Sequence, residues 1–191
     1  MNAYYEDPMA LALTLQLETF DVIGIDGKDG TGKSTLATTL GMILKAQVVH
    51  LDDYLIKNQD SYVSNIRYDE LAHDLAGRSA KIVEGVCLLA VMKVIEIPVD
   101  FLIYVKYMRH GDWVDKKELV PRTNLDDHFR DLEEKTRTGE RLIASMHNNP
   151  EPDLSNIVIP PLLKELIIYH QDFRPHEHAN VEFHKIDSAN D

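Results

Sequence analysis

The sequence has one cysteine, Cys87, so no intramolecular disulfide can staple the fold and a packed core must stabilise it. Cys87 lies in the apolar run Ile82-Val83-Glu84-Gly85-Val86-Cys87-Leu88-Leu89, a setting that predicts a buried thiol in a reducing compartment rather than a nucleophile. Positive charge is scarce: 20 Lys and Arg stand against 32 Asp and Glu, a formal net charge of −12. Such a surplus repels phosphate backbones and anionic headgroups, which argues against nucleic-acid and membrane-surface partners. A phosphorylated ligand must then be held by a locally positive site. Long hydrophobic runs are missing too. The apolar stretch Met9 to Leu17 follows Glu6 and Asp7 instead of a basic segment and falls short of spanning length, so a cytoplasmic protein is expected. No repeat, low-complexity tract or linker marks a boundary, and 191 residues suit one core but not two ordinary domains. One domain over residues 1–191 is the expectation.

What is present is an alternation of short apolar runs with helical periodicity. Asp7 to Glu18 reads as an opening helix with Pro8 in its first turn and Met9, Leu13 and Leu17 on one stripe. Phe20 to Ile25 reads as a buried parallel strand stopped by Gly27, followed by a helix over Ser34 to Lys45 with Leu36, Leu40 and Leu44 at helical spacing. Further strand-like runs cover Gln47 to Leu51, Lys81 to Val86 and Phe101 to Val105, and Val181 to Ile186 could supply a last one. This order predicts an α/β fold with a mostly parallel sheet and helices on both faces. Lys106 to Arg141 is dense in charge without a strand signal and reads as helices and a mobile connection, a candidate lid over one end of the sheet.

Between the first buried strand and its helix lies Gly27-Lys28-Asp29-Gly30-Thr31-Gly32-Lys33-Ser34, which meets the pattern G-x-x-x-x-G-K-[ST]. Glycines let the backbone wrap a phosphate with its N–H groups inward, and the helix N-terminus adds partial positive charge there. Lys33, taken as exposed, would reach the β and γ phosphates of a nucleoside triphosphate. Ser34 would place its hydroxyl on Mg²⁺, and Thr35 would line the α-phosphate side or cap the helix. A Gly-rich turn without a ligand is the alternative.

Ligands of open α/β sheets sit beyond the carboxyl ends of the strands. There Asp52 and Asp53 close the run Val48-Val49-His50-Leu51, and Glu84 closes Lys81-Ile82-Val83. Such carboxylates can take a proton from an acceptor hydroxyl or hold Mg²⁺, and an acidic pair can equally cap a following helix. Glu84 needs a partner, because an ionised group in an apolar run is costly alone. Successive residues leaving a strand point to opposite faces, so only one of Asp52 and Asp53 should face the γ-phosphate.

The stretches His50-Leu51-Asp52-Asp53-Tyr54, Arg67-Tyr68-Asp69-Glu70-Leu71 and Ile82-Val83-Glu84-Gly85-Val86, in that order, resemble the uridine kinase and phosphoribulokinase superfamily, most closely its nicotinamide riboside kinase-like members. The resemblance spans roughly Val22 to Val105 and implies a P-loop NTPase three-layer fold and ATP-dependent transfer to a small-molecule acceptor. It implies Asp52 between transferred phosphate and acceptor hydroxyl, with Glu84 assisting at the metal and the hydroxyl. Tyr68 and Asp69 would hold a sugar, with Asp53 and Tyr54 beside them. The same Tyr68-Asp69 pair also suits the start of a helix over Asp69 to Leu75. Lids of these kinases carry several closely spaced arginines, whereas this chain offers Lys106, Arg109, Lys116 and Lys117, then Arg122.

Arg137 and Arg141 could close over phosphate or form the solvated face of a helix beginning near Asp126, and the solvated face is the expectation. Trp113 could stack on a base but more simply packs locally. His170, His176, His178 and His184 read as surface residues, without metal-ligand spacing. The loop also resembles that of thymidylate kinases, though their Asp-Arg pair after the second strand is replaced here by Asp52-Asp53-Tyr54. A nucleotide-binding or regulatory protein without phosphoryl transfer is the reading from a different class.

Overall fold

The structure is a computed structural model that describes residues 3–16, 20–57, 59–77, 79–147 and 149–186. Its centre is β2 (Val22–Gly27), all six residues of which are buried, as a continuous apolar run in a parallel sheet requires. The elements around it are β1 (Ala3–Tyr5), α1 (Pro8–Leu15), α2 (Lys33–Leu44), β3 (Gln47–His50), α3 (Tyr68–Leu75), β4 (Lys81–Glu84) and α4 (Leu88–Val94). Then follow β5 (Phe101–Arg109), β6 (Asp112–Trp113), α5 (Leu125–Met146), α6 (Pro161–Asp172), α7 (Pro175–His178) and β7 (Val181–Ile186).

Among the described residues these strands form a seven-stranded sheet in the order β1-β7-β5-β2-β4-β3, with β6 paired to β5. Every pairing along that order is parallel, and only β6 runs antiparallel. Helices cover both faces. On one, Leu11 and Leu15 of α1 and Leu36, Ala37 and Leu40 of α2 bury against Ile23, Ile25, Ile82 and Ile103. On the other, Leu71 and Leu75 of α3, Leu88, Val91 and Met92 of α4 and Tyr169 of α6 bury against Val83, Leu102 and Tyr104. Cys87 is fully buried in this second core.

Several expectations are corrected. The stripe of the opening helix is Leu11, Ala12 and Leu15, while Met9 and Leu13 are 51% and 58% exposed. Leu17 and Glu18 lie outside the described residues. The helix is short and apolar on most sides, so spacing alone did not single out the face that meets α2. Residues 106–113 carry strand after all: β5 continues to Arg109 and turns through Gly111 (φ +82°) into β6. Charge hid it, because Lys106 pairs with Glu182 of β7 at 2.7 Å and lies 4.1 Å from the Trp113 ring centre. Ala3–Tyr5 adds an edge strand beside β7 that no sequence pattern announced.

Candidate functional site

β2 delivers the chain to Gly27 at the carboxyl end of the sheet, and α2 begins at Lys33. Gly30 and Gly32 take φ of +73° and +90°, conformations that a side chain would strain. No side chain caps α2, so the first-turn N–H groups are not consumed by a cap. The helix start opens on a cavity of about 230 Å³ lined by Asp29, Gly30, Gly32, Lys33, Ser34 and Thr35. Asp52, Glu84, Gly85 and Val86 form its other side.

Lys33 is buried, at 6% exposure, which corrects the expectation of an exposed lysine. Its Nζ donates to the Lys28 carbonyl at 2.8 Å. Burial lowers its pKa, against the opposing pull of the Asp26, Glu84, Asp29 and Asp52 carboxylates. Thr31 is also buried and donates to the Lys28 carbonyl at 2.8 Å, so its hydroxyl secures the loop. The Lys28 ammonium turns away from the cavity to Glu118, with Asp115 at 3.8 Å. Gly27 is packed tightly: a Cβ there would meet the Val105 carbonyl at 2.8 Å.

The partner that Glu84 needs is His50. The two residues are opposite each other in the β3–β4 register, and His50 Nδ1 lies 2.6 Å from Glu84 Oε1. Glu84 is 4% exposed, and this bond leaves its other oxygen available to the cavity. Asp52 and Asp53 do not leave on a strand. They sit in a 3₁₀ turn, Leu51–Tyr54, where successive side chains are about 120° apart, which replaces the alternation argument. Asp52 lines the cavity and accepts from the Tyr62 hydroxyl at 2.6 Å. Asp53 does not line it, and its carbonyl accepts from Arg67 at 2.7 Å.

Tyr54, Tyr68 and Asp69 are not brought into this cavity. The Tyr54 hydroxyl donates to Asp74 at 2.6 Å, and that of Tyr68 donates to the Val63 carbonyl at 2.6 Å. Asp69 is exposed in the first turn of α3. Arg137 and Arg141 lie on α5 beside Glu133 and Glu134, and Arg137 also donates to the Ile157 carbonyl at 3.1 Å. Trp113 packs on Tyr104 and His176. Of the four histidines read as surface residues, His170 is buried and only His178 is exposed.

Sequence reasoning missed several groups. Asp26, fully buried one residue before the loop, accepts from the Gly27 N–H at 2.6 Å and from the Tyr169 hydroxyl. Its position between Ile25 and Gly27 was a readable signal, an ionisable group ending an apolar strand. Tyr62, Glu165 and Tyr169 carry no such signal. Glu165 accepts from Ser61 and from the backbone N–H groups of Tyr62 and Val63 at 2.5–3.1 Å, which fixes Tyr62 beside Asp52. Lys185 of β7 also reaches the loop: a Cβ on Gly32 would lie 3.0 Å from its Nζ.

Burial pushes the Asp26 carboxyl from an ordinary 3.8 up to about 7, although Tyr169, Gly27 and Lys33 pull it back. Between those pH values the unfolded chain has lost this proton and the folded protein keeps it, so the contribution of Asp26 to stability falls as pH rises. The loss is up to roughly 4 kcal/mol, complete above about pH 7. Asp26→Asn should therefore gain stability relative to the parent as pH rises from 5 to 7 and level off beyond. Urea unfolding of both proteins across pH 5–8 measures this, and a pH-independent difference would mean that Asp26 ionises normally.

No protein-family model matches this sequence, and no curated protein matches it. Among solved structures, a possible uridine kinase from Bacillus stearothermophilus is similar at 17% identity and a TM-score of 0.51, covering 92% of this chain and 96% of that one. A "putative fructose transport system kinase" from Silicibacter sp. TM1040 aligns at 15% identity and a TM-score of 0.43, over 93% and 99% of the two chains. The first likeness shows the fold: a parallel sheet with helices on both sides, as in P-loop kinases. Among the described residues no helix is long and apolar enough to cross a membrane.

Proposed function

We propose that this protein is a P-loop kinase that transfers the γ-phosphate of ATP to a hydroxyl of a small molecule, in the manner of uridine kinase-like enzymes. The observation that carries the reading is a single cavity lined by the first turn of α2, Lys33 and Ser34 on one side and by Asp52 and Glu84 on the other. Phosphoryl transfer requires that juxtaposition, donors for a polyphosphate facing an acceptor for a hydroxyl proton.

The loop N–H groups and the helix N-terminus bind the phosphates, and Lys33 supplies positive charge against the transferring group. Lys185, beside Gly32, adds a second ammonium. Asp52 takes the proton from the acceptor hydroxyl. Tyr62 occupies its Oδ1, which orients the carboxylate and leaves Oδ2 for that proton. Glu84, held by His50, positions the acceptor.

Magnesium suits these residues. Among the described residues no cluster of three His, Cys, Asp or Glu forms a metal cage, and a magnesium shared with phosphate needs only one or two carboxylates. Ser34, Asp52 and Glu84 would hold it, and when bound it would neutralise charge on the phosphates. The test is ADP release with ATP and magnesium over a panel of nucleosides, ribosides and phosphosugars. Acceptor-dependent ADP release is expected. ATP binding with no acceptor-dependent release would instead favour a nucleotide-binding regulator.

A further inference from the structure

A second pocket of about 610 Å³ adjoins the phosphate cavity and shares Asp29 and Val86 with it. Its volume falls in the range of small-molecule sites, roughly 300–1,000 Å³. The walls come from α5, α6 and the turn Lys116–Glu118. Leu119, Leu132, Leu163, Leu166 and Ile167 make it largely apolar.

Its charge is opposite to that of the molecule. Four cations, Lys28, Lys117, Arg122 and Lys135, line it against two anions, Asp29 and Glu118, in a chain of net charge −12. Lys28 is engaged by Glu118, but among the described residues no salt bridge occupies Lys117, Arg122 or Lys135. Arg122 Nε is buried without a hydrogen-bond partner, a donor that calls for an acceptor. His128, on the same wall, has its pKa lowered by burial first and then by the Arg122 and Lys135 charges, against the opposing pull of Asp131.

We infer that this pocket binds the phosphate acceptor, and that the acceptor is an amphipathic anion: a hydroxyl at one end, an apolar body, and a carboxylate or phosphate group at the other. The hydroxyl end enters the phosphate cavity past Asp29 and Val86, the body lies along Leu132, Leu163 and Ile167, and the anionic head meets Arg122, Lys117 and Lys135. Assignment of the pocket to an acceptor rests on the kinase reading; its preference for an anion does not. A positively charged acceptor, such as a pyridinium riboside, is disfavoured by the same cations.

Four probes of matched length separate these terms: 6-hydroxyhexanoate, 6-hydroxyhexyl phosphate, neutral 1,6-hexanediol and 6-hydroxyhexyl-trimethylammonium. Calorimetric titration of the full chain with a non-hydrolysable ATP analogue and magnesium should show both anions binding at least tenfold tighter than the diol and the cationic probe. The tighter anion identifies the head group. Arg122→Gln should weaken anion binding about tenfold, as loss of a charged hydrogen bond does, and leave the diol within twofold. A Lys135→Gln variant serves if Arg122→Gln melts early. Equal binding of all four probes, no binding of any, or an anion preference unchanged in the variants overturns the proposal. ADP release with ATP separates the two readings: anion binding without release leaves the pocket and removes the kinase, whereas release from the diol and cationic probe as fast as from the anions does the reverse.

Discussion

Lys33→Ala should lower phosphoryl transfer by at least about 10²–10³-fold, the loss typical of one preorganised donor to transition-state charge, and should weaken ATP binding. The larger part of the effect should fall on kcat, because phosphate charge is redistributed during transfer and the ammonium acts on that change. Folding should survive near neutral pH. Lys33 is buried at a desolvation cost, and its removal leaves Asp26 free to keep the proton that burial already favours. Acceptor-dependent ADP release and a melting curve check both halves. Turnover equal to that of the parent would remove the central claim, and a variant unfolded at pH 6–7 would show that the lysine serves the core as well as the ligand.

Asp52→Asn should reduce kcat by about 10²–10⁴ with ATP affinity nearly kept, since the amide retains size and hydrogen bonding but cannot take a proton. Asp53→Asn should cost far less. Its side chain does not line the cavity, and the local bond that uses this residue is made by its carbonyl, which the substitution preserves. Tyr62→Phe adds a graded check, because it removes the donor to Oδ1 while leaving the carboxylate, and should fall between the two. Equal losses at Asp52 and Asp53 would point to a shared metal role. No loss at either would leave a nucleotide-binding protein that performs no transfer.

The loop from Gly27 to Ser34 was legible because its meaning is local. Glycines at fixed spacing, an apolar strand before them and a leucine-spaced helix after them are all encoded within about two dozen consecutive residues, and β2 and α2 lie where that pattern puts them. The carboxyl-end positions of Asp52 and Glu84 were legible for the same reason, as Asp52 comes just after its strand and Glu84 ends its own. β6 was not, because the charge of Lys106 on the strand before it is neutralised by Glu182 from β7, some seventy residues away.

By itself, then, the sequence determined the order of β2, α2, β3, β4, β5 and β7, though not β1 or β6, together with the Gly-rich loop pattern and the strand-end carboxylates Asp52 and Glu84, since each has a signal among near neighbours in the chain. Only tertiary structure decided that His50 partners Glu84, that Tyr62 orients Asp52, that Tyr169 reaches Asp26, and that Lys185 reaches Gly32. Tertiary structure also left Tyr68 and Asp69 outside the cavity at the start of α2 and gathered the cations of residues 117–135 against the apolar face of α6. These pairings join residues from different strands and helices, and their energies depend on burial and register, which spacing along the chain does not specify.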